Sequence, residues 1–402
     1  MSPEPFTLHL GDCVEVMRAM PENSIDAIVT DPPYELGFMG KGWDASGIAY
    51  SVAMWREALR VLKPGGHLLA FGGSRTYHRM ACAVEDAGFE IRDQIMWVYG
   101  DGMPKSRNIA KYDLKAQAAQ AWAGFGTALK PAHEPIVMAR KPLAGTVAQN
   151  VLAWGTGVLD IDGCRVPVDD ASYARNCSGD RGHGGTRSAA QEGATDLHTG
   201  GGSAAAGRWP ANLIHDGSAE VVALFPAQAG AVAPVHTRRA DKFRTAYGAF
   251  AGNVDEQGST FQGDSGSAAR FFYCPKATRR DRNEGCEHME KKPLLWSSGT
   301  KNPGSFQAEG TDKSSQNFHP TVKPTDLCAY LVRLVARRGA VVYDPFMGSG
   351  STGKACMREG VRFVGSELAP EYMAIAQARI AREYARIGAL EPAPVPQLDL
   401  FA

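Results

Sequence analysis

The segment Val341-Val342-Tyr343 runs directly into Asp344-Pro345-Phe346-Met347-Gly348-Ser349-Gly350-Ser351-Thr352-Gly353, and helix-forming residues Lys354, Ala355, Cys356 and Met357 follow at once. A short apolar strand, a glycine-rich turn and a helix in that order point to a doubly wound α/β domain. Glycine in such a turn lets the backbone approach a ligand closely. The turn is not the dinucleotide fingerprint, because Gly348-Ser349-Gly350 lacks its spacing. Nor is it a phosphate-binding P-loop, because the Gly-Lys-Ser/Thr ending is absent. The next strand, Phe363-Val364-Gly365, ends at Ser366-Glu367. An acid at that edge accepts hydrogen bonds from a ribose diol, so the unit favours a cofactor that carries a nucleoside and needs no pyrophosphate.

A second strand ends in chemistry of a different kind. The apolar run Ile25 to Thr30 leads into Asp31-Pro32-Pro33-Tyr34. A carboxylate and a proline carbonyl accept hydrogen bonds from an amino group, and tyrosine stacks on the face of a flat ring. The prolines restrict the geometry of the carbonyls between them. The plain alternative is a strand-to-turn exit, for which Asp and Pro are ordinary residues.

The chain of 402 residues has 43 basic and 43 acidic side chains, so no overall field holds it on a polyanion. Local basic faces remain open: Arg238, Arg239, Lys242 and Arg244 crowd one stretch, and Lys276, Arg279, Arg280 and Arg282 another, each equally readable as a solvated surface. The eight cysteines show no Cys-x-x-Cys spacing, so no metal site is expected. No signal peptide and no membrane-length apolar run is recognised, and a reducing cytoplasm is the default compartment. Strand and helix patterns alternate over residues 5–150, with Ala53, Trp55, Ala58, Leu59 and Leu62 on one helical face ahead of a turn at Pro64-Gly65-Gly66. Periodicity degrades within 151–315, where the glycine-rich stretch 176–207 is either a recognition loop or a low-complexity insertion without a role. It returns over 316–388, where Leu327, Tyr330, Leu331, Leu334 and Val335 share a helix face. Because each terminal block supplies only part of a sheet, the two are expected to form one core around the insert.

Taken in order, these residues resemble the S-adenosylmethionine-dependent DNA amino-methyltransferases in their permuted, beta arrangement. In that arrangement the amine motif comes first, the recognition region sits in the middle and the cofactor loop comes last. Leu62-Lys63-Pro64-Gly65-Gly66, Asn317 to Pro324 and, more weakly, His133-Glu134-Pro135-Ile136-Val137 and Phe272-Tyr273-Cys274-Pro275-Lys276 agree. The resemblance implies a Rossmann-like methyltransferase core with permuted motif order and an irregular target-recognition insert. It implies a catalytic set of Asp31, Pro32, Pro33 and Tyr34, acting on a base flipped out of duplex DNA. The implied cofactor set is Asp12, Cys13, Asp31, Thr321, Lys323, Asp344, Pro345, Phe346, Gly348, Ser349, Gly350, Ser351, Thr352, Glu367 and Leu368. Within it Asp12 meets the adenine, Glu367 the ribose, and Thr321 and Lys323 the amino-acid end. On the residues alone, the plainer and weaker readings are a helix cap for Asp12 and a surface lysine for Lys323. Phe38 and Trp43 read as pocket cover or as core. Asp at the head of the motif resembles the adenine-N6 enzymes more than the cytosine-N4 group; cytosine-N4 transfer and a nonenzymatic DNA-binding regulator are the alternatives. A homodimer is expected by resemblance. The end, Gln397-Leu398-Asp399-Leu400-Phe401 behind a proline-rich linker within 389–402, resembles the peptide that docks bacterial proteins in the replication sliding clamp.

Overall fold

The computed structural model describes residues 4–37, 42–100, 102, 106, 120–167, 207–227, 244–245, 248–249, 267–273, 275, 279–293 and 314–389. Phe38, the glycine-rich stretch through 206, basic residues 238–242 and the clamp-like tail lie outside these residues.

Eight strands form the main sheet: β1 (Phe6–Leu10), β2 (Ile25–Thr30), β3 (Leu62–Phe71), β4 (Glu90–Val98), β5 (His133–Arg140), β6 (Leu213–His215), β7 (Val341–Asp344) and β8 (Arg362–Glu367). Their spatial order is β1-β8-β7-β2-β3-β5-β4-β6. All neighbours run parallel except at β5, which is antiparallel to both β3 and β4. The decisive junction is between β2 and β7, where Ala27 lies beside Val342 and Ile28 beside Tyr343. One sheet is thus assembled from both ends of the chain, in the permuted order expected.

Every residue of β2 is buried, as in a strand covered on both faces. Ile28, Leu68, Ala70 and Tyr343 point into a core with Met17 of α1 (Cys13–Ala19), Trp55 of α2 (Val52–Val61) and Met80 of α3 (Tyr77–Asp86). Alternate residues Ala27, Val29, Leu69 and Val342 are equally buried and point the other way. On that face lie α6 (Thr325–Val335), α7 (Ser351–Glu359) and α8 (Pro370–Gly388). Two shorter helices are α4 (Val147–Trp154), which runs into the start of the stretch read as an insert, and α5 (Arg279–Asn283), which lies inside it. Helix α2 starts where Ser51 Oγ accepts from Met54 N at 3.2 Å, and Trp55 Nε1 donates to Ala49 O at 2.9 Å. The buried indole therefore keeps a hydrogen-bond partner.

Two features depart from the sequence reading. The turn expected at Pro64-Gly65-Gly66 lies inside β3, because that strand begins at Leu62. A Cβ on Gly66 would stand 2.9 Å from both Asp26 O and Lys63 O, so glycine permits the close backbone approach. Second, β6 falls within 151–315 yet joins the sheet beside β4, with Leu213 paired to Met96. Three residues are too few to display a period of two. By compactness the chain divides into one unit of residues 1–164, 211–218 and 274–402, and a smaller one of 165–210 and 219–273. In the smaller unit Val166 bridges Arg208, the Arg165 guanidinium lies 5.2 Å from the Trp209 ring centre, and Phe225 contacts Phe272.

Candidate active site

The carboxyl ends of β2, β7 and β8 open into one cleft of about 1610 Å³. Every residue of the expected catalytic and cofactor sets lines it, except Gly350. Gly350 stands behind the wall at φ +77°, where a Cβ would meet the Ala376 backbone at 3.0 Å. Its glycine is required by the packing of α8 and by the left-handed turn that starts α7.

At the β2–β7 junction, Thr30 Oγ1 donates to Asp344 Oδ1 at 2.6 Å, and the same oxygen accepts from Phe346 N at 3.0 Å. These bonds turn the chain into the glycine loop. Burial pushes the Asp344 carboxyl up from 3.8 to about 7, against the opposing bonds from its neighbours. Folded protein therefore holds this proton where unfolded protein releases it. The group's contribution to stability is full below about pH 4 and is lost as pH rises to about 7. Asp344→Asn is expected to flatten the decline in urea midpoint across that window, and slopes identical to wild type would refute the assignment.

The loop is tied to β8 from its far side. Gly348 N donates to Glu367 Oε2 at 2.9 Å, Ala369 N donates to Oε1 at 2.9 Å, and Met347 N donates to Ser366 O at 3.0 Å. Gly348 has φ +52°, and a Cβ there would stand 2.9 Å from His319 Nε2. The glycine is what allows the loop and the His319 ring to share this wall. Burial raises the Glu367 carboxyl, partly offset by its backbone donors. Burial and nearby cations, Arg282 first, push His319 down to about 3, so its ring is neutral; it packs edge-on to Tyr372 at 4.5 Å. Asp12 Oδ1 accepts from Val14 N at 2.9 Å and Glu15 N at 3.2 Å, which makes it the cap of α1 while it also faces the cleft. Cys13 beside it is buried, and its thiol is pushed up to about 12. That excludes it as a ready nucleophile.

Lys323 stands elsewhere than a surface lysine would. Its Nζ lies 2.6 Å from Asp31 Oδ2 and 3.4 Å from Glu134 Oε2, and 5.2 and 5.0 Å from the ring centres of Tyr34 and Phe71. Burial lowers the Lys323 ammonium, but the charges of Asp31 and Glu134, with their hydrogen bonds, outweigh that and raise it above the ordinary lysine range. The Tyr34 hydroxyl donates to Glu134 Oε2 at 2.7 Å, and Thr76 Oγ1 donates to Tyr34 O at 2.7 Å. Burial raises the Asp31 carboxyl, Lys323 lowers it and Glu134 raises it again. Its Oδ1 is buried without a hydrogen-bond partner. An unpartnered buried acceptor, on a residue that lines the cleft, is suited to an incoming N–H donor.

Sequence reasoning did not assign Glu134, His319 or Tyr372 to the site. Glu134 sat in the weakly matching His133-Glu134-Pro135 segment, which was its only signal. Among the described residues no group of three His, Cys, Asp or Glu side chains is placed to hold a metal, and no helix is long and apolar enough to cross a membrane.

A permuted sheet with a carboxylate after β2 and a glycine loop after β7 on one cleft agrees with the N6/N4 class of DNA methylases. The model of that family, DNA methylase, matches residues 25–378, and the chain belongs to it. It is similar to the type II methyltransferase M2.DpnII of Streptococcus pneumoniae, 40% identical over 65 residues, which is 16% of this chain and 24% of that protein. The chain's matches span only 24% and 32% of the lengths of its curated relatives. Among solved structures, it is similar to the cytosine-N4-specific PvuII DNA methyltransferase at 14% identity and TM-score 0.47, covering 96% of this chain and 93% of that one. It is also similar to M1.HpyAVI in complex with SAM, at 16% identity and TM-score 0.39, covering 93% of this chain and 98% of that one.

Proposed function

We propose that this chain methylates an exocyclic amino group of a base in duplex DNA, adenine N6, with S-adenosylmethionine as cofactor. The observation that carries this reading is the unpartnered Oδ1 of Asp31, a residue that lines the same cleft as Asp344, Gly348 and Glu367. The cleft suits the cofactor: carboxylates at Asp344 and Glu367 match an ammonium and a ribose diol, and Gly348 offers backbone without a side chain. When bound, the cofactor supplies an electrophilic methyl group on a sulfonium.

The residues of the chain do the rest. Asp31 and the Pro32 carbonyl accept the two amine hydrogens, aligning the nitrogen and favouring electron density on it. Tyr34 stacks on the base, which must leave the duplex to reach the pocket. Glu367 meets the ribose hydroxyls and Asp12 the adenine of the cofactor. Asp344, the loop 345–352 and Thr321 surround the methionine portion. No covalent enzyme intermediate is required.

Adenine is supported by Asp at the head of the motif, which resembles the adenine-N6 enzymes more than the cytosine-N4 group. Cytosine N4 would satisfy the same acceptors, and the family embraces both targets. The test is mixed-sequence duplex DNA incubated with methyl-labelled cofactor and digested to nucleosides. Label on N6-methyladenosine supports the reading, and label on N4-methylcytidine keeps the mechanism and changes the base. Cofactor binding without turnover on any DNA favours a nonenzymatic regulator. The smaller unit, with the basic stretch 238–244, supplies contacts to phosphates and base edges, and a second copy completes the grip. Arg282 of the other basic stretch belongs to the larger unit and donates to Asn317 O and His319 O. The tail docks in a bacterial sliding clamp, which would place the enzyme at replicating bacterial or phage DNA. Deleting residues 397–402 is expected to abolish clamp pull-down while activity on short duplexes is unchanged; retained pull-down would dismiss the docking.

A further inference from the structure

The geometry points to Lys323 and Glu134 as positioning residues that divide the labour of the two Asp31 oxygens: Oδ2 is anchored by the ammonium and Oδ1 is presented to the target amine. The inference rests on the reading of Asp31 as the amine acceptor and assigns two residues to its control. Three observations carry it. Asp31 Oδ2 is held by Lys323 Nζ at 2.6 Å, whereas Oδ1 is buried without a partner. The same ammonium lies 3.4 Å from Glu134 Oε2, and that oxygen also accepts the Tyr34 hydroxyl at 2.7 Å. A single chain of contacts therefore runs from the stacking ring through Glu134 and Lys323 to the accepting carboxylate. It fixes the ring and the acceptor relative to each other.

The lysine is itself placed by the cofactor loop. Ser351 Oγ at the start of α7 donates to Lys323 O at 2.9 Å. A carboxylate with one oxygen pinned cannot rotate freely, so its second oxygen is preorganised for the incoming N–H. The charge balance is equally directed. Asp31 faces Lys323 from the segment before α6, Glu134 from β5, Tyr34 from its own turn, Asp344 from β7 and Cys328 from α6. Both carboxylates are only partly buried, and the ammonium between them opposes the pull of Glu134 on the Asp31 proton. Without the ammonium, burial and the like charge of Glu134 favour a proton on Asp31. A protonated Asp31 loses its pull on the amine hydrogens.

The two positioning residues should therefore move Asp31 in opposite directions. Lys323→Met removes the cation and makes the carboxyl harder to ionise. Glu134→Gln removes the competing anion, keeps an acceptor for Tyr34, and makes it easier to ionise. A purely structural role for either residue predicts no such opposition.

The experiment uses the full chain labelled with ¹³C at the aspartate carboxyl, with the Asp31 signal identified by its absence in Asp31→Asn. The titration midpoint of that signal is expected to rise in Lys323→Met, fall in Glu134→Gln and stay near wild type in Lys323→Arg. Methylation at neutral pH is expected to drop at least about tenfold in Lys323→Met and to recover as pH is raised. Cofactor affinity by calorimetry should change less than about threefold in all three variants. Midpoints that stay fixed, or that move the same way in both variants, overturn the inference, as does loss of cofactor affinity in step with activity. If the midpoints move as stated but no protein methylates DNA, the Asp31 arrangement holds and the methyl-transfer reading falls.

Discussion

Asp31→Ala is expected to lower methyl transfer roughly a thousandfold while leaving affinity for S-adenosylmethionine almost unchanged. The size follows from losing a preorganised hydrogen-bonding group that acts most strongly as charge develops on the amine nitrogen. The selectivity follows from position. Asp31 ends β2, whereas Asp344 and the glycine loop end β7 and are secured to Glu367 and Ser366 by bonds that do not involve Asp31. Lys323 keeps Glu134 as a partner at 3.4 Å when Asp31 is removed, so the variant does not strand an unpaired buried cation. Isothermal calorimetry with the cofactor, alongside single-turnover methylation of duplex DNA, separates the two effects. Collapse of cofactor affinity together with turnover would move Asp31 from the amine side to the cofactor side and sink the assignment.

How far the site was legible can be judged at the β2–β7 junction. Both strands are apolar runs that end in an acid, so parallel neighbours with that pattern must bring Asp31 and Asp344 to the same edge. The observed pairing of Ile28 with Tyr343 does this, and Thr30 bonds directly to Asp344. Lys323 was legible as part of a motif and illegible as a partner of Asp31, since no periodicity connects residues 292 positions apart. Its segment pointed to the methionine end; the backbone is held by Ser351 of the glycine loop, and the ammonium reaches back to Asp31. Glu134 failed for a related reason: alternation on β5 identifies which face a residue occupies and is silent on the loop opposite. β6 was hidden by its length, and Pro64-Gly65-Gly66 by composition, because a strand crowded against Asp26 O has the same residues as a turn.

Asp281→Ala is expected to cost about 2–4 kcal/mol of folding stability, from the loss of a charge-assisted hydrogen bond and of a helix cap. Asp281 Oδ1 accepts from Lys354 Nζ at 2.8 Å and Thr325 Oγ1 at 2.6 Å, and Oδ2 accepts from Thr325 N at 2.8 Å. Pro324, which precedes α6, has no capping side chain, so Asp281 caps that helix from α5. Lys354 is fully buried, as is Arg379, whose guanidinium holds Ser349 O and the Asp281 carbonyl. Burial raises the Asp281 carboxyl, but the Lys354 charge together with the hydrogen bonds from Lys354 and Thr325 outweighs it and holds the carboxyl below its ordinary value. Removal of that carboxylate leaves the ammonium with Glu284 at 3.3 Å as its remaining carboxylate neighbour, and it uncaps α6. The disturbance also reaches the cleft, because Lys354 lies on α7 directly after the glycine loop and Arg379 grips the loop at Ser349. Urea unfolding checks the expectation, with Asp281→Asn as the intermediate case that keeps an acceptor for Thr325 and loses the charge. A loss under about 1 kcal/mol in Asp281→Ala would mean that packing of α7 against α8, and not this ion cluster, holds the loop in place.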